Sequence, residues 1–62
     1  MKRRDLIRHL EAHDCEFVRE GREHTLYVNR QTKRVSVVPR HREIPPGTVR
    51  AICRALGVPA PF

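Results

Sequence analysis

The chain is 62 residues long, carries a net charge of +6 and is 39% hydrophobic, which allows one domain (residues 1–62) and one core. A chain this short buries only about 60% of its unfolded surface, so it encloses no large cofactor, and any chemistry belongs on a surface or in a shallow groove. Lys2, Arg3 and Arg4 are not followed by the apolar run of a signal peptide, and no segment approaches the roughly 20 apolar residues of a membrane span; the expected location is the cytoplasm, away from any membrane.

In chain order, Leu6, Ile7 and Leu10 form one apolar stripe, which predicts a helix from about Arg3 to His13. Glu16 to Glu20, centred on Phe17 and Val18, reads as a short strand that Gly21 closes with a turn. Thr25 to Asn29 is the clearest strand, dense in β-branched and aromatic residues. Arg30 to Lys33 is a polar connection of hairpin length, and Arg34 to Val38 the next strand, ended by Pro39. Arg40 to Ile44 follows as a basic loop. Pro45-Pro46-Gly47 then opens a second helix, in which Val49, Ile52, Cys53 and Leu56 share one face and Gly57 is the stop. The expected fold class is α+β in the order α-β-β-β-α, with both helices on one face of a three-stranded antiparallel sheet.

The charge is unevenly placed. Through Glu23 the bases and acids cancel, whereas from His24 onward Arg30, Lys33, Arg34, Arg40, Arg42, Arg50 and Arg54 face a single acid, Glu43. A single-signed, arginine-rich stretch points to a polyanion, because the planar guanidinium matches phosphate. Cys15 and Cys53 form no Cys-x-x-Cys pair and read as two buried or half-buried thiols.

Gly21-Arg22-Glu23-His24 lies at the turn between the first two strands. Gly21 can take positive φ for a tight reversal and lets a ligand backbone approach closely. His24, the first residue beyond the turn, is the side chain best suited to move a proton near neutral pH. Its phase with Leu26 and Val28 is also that of a half-buried ring. His41, set between Arg40 and Arg42, reads as a phosphate contact, an auxiliary acid or a solvated loop residue. His9 and His13 have zinc-compatible spacing but lack a convincing ligand set, so no metal site is expected. Clustered carboxylates, a Gly-rich phosphate loop and a Ser-His-Asp order are all missing. Cleavage of RNA by this chain would therefore be metal-free and driven by histidine and arginine.

The Gly-x-x-His turn, then Val38-Pro39-Arg40-His41, then Ile44-Pro45-Pro46-Gly47-Thr48 before an amphipathic helix resemble the HicA family, over about Lys2 to Val58. HicA proteins are the toxins of HicAB toxin–antitoxin systems. The resemblance implies a fold similar to the double-stranded-RNA-binding domain and endoribonuclease (mRNA interferase) activity without a cofactor. It also implies His24 as the functional histidine and a HicB-like antitoxin that covers the active surface. Members often carry serine after the glycine, where this chain has Arg22. The expected RNA contacts are Gly21, Arg22, Arg34, Arg40, His41 and Arg42, and mRNA is the expected substrate. The alternative is a non-catalytic RNA-binding module of the same fold.

Overall fold

A computed structural model describes all 62 residues. The elements run α1 (Arg3–Ala12), β1 (Cys15–Glu20), β2 (His24–Asn29), β3 (Val35–Pro39) and α2 (Pro46–Leu56). The order is the expected one, and the boundaries move by a residue or so. Pro39 is the last residue of β3 rather than the first beyond it, because as partner to His24 on an edge strand it is not required to donate to a further neighbour.

The three strands form an antiparallel sheet in the order β1-β2-β3. Cross-strand partners share a face. One face carries Cys15, Thr25, Tyr27, Asn29 and Val38, all buried. Leu6 and Leu10 of α1 and Val49, Ile52, Cys53 and Leu56 of α2 close over this face, with Ile44 from the preceding loop. Both helices thus pack on one side, α1 against β1 and α2 against β3.

The other face holds Leu26 opposite Val37 and Val28 opposite Val35, with His24 opposite Pro39 at one end. No element covers it, and His24 is exposed. The half-buried ring suggested by strand phase is therefore corrected: His24 does share the face of Leu26 and Val28, but that face is the open one. The buried positions of β2 are instead Thr25, Tyr27 and Asn29, whose polar groups are tolerated inside because each can be satisfied or oriented outward. Thr25 Oγ1 accepts a hydrogen bond from Arg3 at 2.9 Å. Asn29 Nδ2 donates to the Leu56 carbonyl at 2.7 Å, while its Oδ1 accepts from the Gln31 amide at 2.9 Å. No buried side-chain polar atom lacks a partner.

The elements end where the chain chemistry says they should. Gly57 sits in the left-handed region at φ 73°. Its amide donates to the Arg54 carbonyl at 3.1 Å and that of Val58 to the Cys53 carbonyl at 2.9 Å, closing α2 with paired terminal carbonyls. Both cysteines are buried free thiols. Burial pushes the Cys53 thiol pKa up, and burial together with the nearby Cys53 and Asp14 does the same for Cys15. No helix is long and apolar enough to cross a membrane.

Candidate functional site

The β1–β2 turn, the end of β3 and the loop before α2 meet at one end of the sheet. Gly21 is the pivot of that turn. Its amide donates to the His24 carbonyl at 2.7 Å. A Cβ at this position would lie 3.3 Å from that oxygen, tighter than an ordinary contact. Positive φ, expected from sequence, is not what glycine supplies here, since Gly57 is the only glycine in the left-handed region. Gly21 instead provides room for the strand to close against the backbone of His24.

His24 lines a concavity of about 390 Å³ with Pro39, His41, Glu43, Ile44, Pro45 and Thr48. His24 and His41 therefore open onto the same space from different segments. Both are exposed, and only His9 and His13 use their rings in hydrogen bonds within the chain. His41 also lines a neighbouring concavity of about 310 Å³ with Arg22, Glu23 and Arg40. Tyr27, in contrast, is buried on the opposite face of β2. Side chains alternate along a strand, so a residue three positions from His24 points away from it, and the phenol does not reach this space.

Arg40 has a structural task. Its Nη1 lies 3.3 Å from Glu20 Oε2 and 3.5 Å from the Arg22 carbonyl, and its amide donates to the Glu23 carbonyl at 3.1 Å. It fastens the β1–β2 turn to the end of β3, with part of its charge already matched. Arg34 stands apart from the other expected residues. It precedes β3 at the far end, roughly 16 Å along the strand from Pro39, and its side chain lies over Gly57. His9 and His13 are likewise engaged in packing. Their rings lie 4.5 Å apart, His9 Nε2 donates to the Pro59 carbonyl at 2.6 Å, and His13 Nδ1 to the His9 carbonyl at 2.9 Å.

Arg42 points to a third concavity, of about 260 Å³, lined only by Lys2, Arg3, Arg4 and Arg42. The Arg3 amide donates to the Arg42 carbonyl at 2.9 Å, and a β-bridge joins Lys2 to Glu43. Arg3 also reaches into the sheet, where its Nε donates to the Pro39 carbonyl and its Nη2 to Thr25 Oγ1, both at 2.9 Å. Summing charge along the sequence hid this group, because the acids of the first half cancel it on paper. The signal available was local: three consecutive bases at the start of the first helix, with no acid ahead of Asp5. Glu43 and Thr48 were missed as neighbours of His24, since only the fold brings them there.

These features define a class before they define a family: a basic two-layer α+β domain with two exposed histidines lining an open concavity at one end of its sheet. The family profile described as HicA toxin of bacterial toxin–antitoxin matches residues 3–58, and the chain belongs to the HicA family. It is accordingly the toxin member of a toxin–antitoxin pair, and an antitoxin partner goes with that membership. No curated protein and no solved structure matches the chain.

Proposed function

We propose that this toxin is a metal-independent endoribonuclease that cleaves mRNA, with His24 as its proton-transfer group. The observation that carries this reading is that His24 and His41 open, without partners in the chain, onto one concavity, and that His41 also lines a second one with Arg22 and Arg40. Cleaving an RNA phosphodiester requires a proton to leave the attacking oxygen, either the adjacent 2′-OH or water. A proton must also reach the oxygen that departs as the P–O bond breaks. His24 handles the first transfer, and His41, the other ionisable ring lining this space, supplies the second. Negative charge builds on the non-bridging oxygens meanwhile, and Arg22 and Arg40, which share a neighbouring concavity with His41, supply positive charge to meet it. Glu43 is the one carboxylate lining the His24 concavity, which falls short of the acidic cluster that two-metal chemistry uses. The helix, three strands, helix order is that of double-stranded-RNA-binding domains, in keeping with an RNA substrate. A HicB-like antitoxin would control the activity by covering this end of the sheet.

The test is RNA incubated with purified protein in EDTA. Cleavage by the His24→Ala variant should fall by about 10²- to 10⁴-fold, with RNA affinity retained. A His24→Ala protein that cuts as fast as the parent overturns the assignment. RNA left intact by the parent protein itself would reduce the chain to a binding module.

A further inference from the structure

Lys2, Arg3, Arg4 and Arg42 place four cations around about 260 Å³ with no hydrophobic side chain among them. None has a carboxylate within ion-pairing distance. The two acids nearest in sequence are engaged elsewhere: Asp5 lies 3.7 Å from Arg8, and Glu43 lies 3.6 Å from the Met1 amine. Four like charges held together repel one another, and an anion relieves that repulsion. The arrangement is also built in advance. The Arg3 amide to Arg42 carbonyl bond and the Lys2–Glu43 bridge pin the two segments that form the walls, so little ordering remains for a ligand to impose.

The position of the group indicates which anion. Arg42 lies between His41 and Glu43, and both of those line the His24 concavity. Arg3 holds the Pro39 carbonyl, and Pro39 is the strand partner of His24. One arginine thus touches both the basic pocket and the backbone behind His24, setting a fixed spacing between them. A polymer with phosphates at regular intervals can occupy both places at once, whereas a lone small anion gains nothing from that spacing.

We propose that Lys2, Arg4 and Arg42 form a phosphate subsite for the RNA strand flanking the bond at His24. Arg3, its guanidinium committed to Pro39 and Thr25, positions the subsite rather than gripping the strand. The inference rests on reading the neighbouring site as an RNA-cleaving one. It moves the grip on RNA from the second half of the chain, where the net charge lies, to a pocket shared by both halves.

Affinity for a short single-stranded RNA, measured in the cleavage-silent His24→Ala background at several salt concentrations, separates the two claims. Adding Arg4→Ala and Arg42→Ala should weaken binding by tenfold or more. The slope of log affinity against log salt should shrink by about 1.4, at about 0.7 for each phosphate contact on a single strand. Removing two bases elsewhere, by Arg50→Ala with Arg54→Ala on α2, should leave that slope nearly unchanged. Unchanged thermal unfolding of the Arg4/Arg42 variant shows that the fold is intact. A slope equal to the parent's, or one that falls equally in the α2 variant, overturns the subsite. So does a variant that keeps RNA affinity but loses that for the antitoxin, since the pocket would then serve the protein partner. Failure of the His24 assignment is read separately, from cleavage by His24→Ala alone.

Discussion

Arg3 carries more of the architecture than its place near the start of the chain suggests. Its fork bridges α1 to the backbone at the end of β3 and to a buried hydroxyl of β2, and lysine cannot copy that geometry. The Arg3→Lys variant should keep the pocket's charge yet lose about 1–3 kcal/mol of stability, read from the urea midpoint. The salt dependence of RNA binding should barely move. Such a role was not legible in the sequence, because Arg3 looks like one of three equivalent bases. His24 was better marked, by its place after Gly21 at the head of the basic half. Which way it points was harder to read, since hydropathy put Leu26 and Val28 inside. The fold buries Thr25, Tyr27 and Asn29 instead, because Arg3 and the end of α2 supply partners to the threonine and the asparagine. Partners contributed by distant segments leave no trace in local pattern.

At the scale of elements, the helices were the most legible parts. Period-3.6 burial at Val49, Ile52, Cys53 and Leu56, closed by a left-handed glycine, needs no tertiary information to recognise. Gly57→Ala tests that stop in isolation. The new methyl would sit 3.5 Å from the Arg34 side chain, an ordinary contact, so the cost is the left-handed backbone alone. A loss of about 1–2 kcal/mol is expected, measured by urea unfolding, with RNA cleavage unaffected because Gly57 lies at the far end from His24. The strands were legible as strands, but β1 held a surprise. A bulge between Phe17 and Arg19 leaves Val18 without a cross-strand partner. The extra residue changes the face on which later residues of β1 fall, and simple alternation cannot anticipate that. It also interrupts one free edge of the sheet, which discourages pairing with another chain.

At the scale of the whole molecule, stability is tied to pH through three groups that the core keeps protonated. Burial raises the pKa of Cys15 and Cys53. It raises that of Tyr27 too, with Arg3 pulling the other way. A raised folded-state pKa means stability is fully present below the unfolded value and is lost as pH climbs through the folded one. The urea midpoint should therefore hold steady near neutrality and fall once pH passes the ordinary thiol value of about 8.5, continuing down through the tyrosine range. A midpoint that is flat or rising over that interval would contradict the burial of these groups. Tyr27 has one more consequence. The chain has a single tyrosine and no tryptophan, so its near-ultraviolet spectrum comes almost wholly from one ring sealed beneath the helices, on the side of the sheet away from His24. Tyrosine light then reports whether the toxin is folded and says little about whether its histidine is occupied. Unfolding and occupancy can be followed in the same cuvette, the first by the protein's own tyrosine and the second by a dye on the nucleic acid.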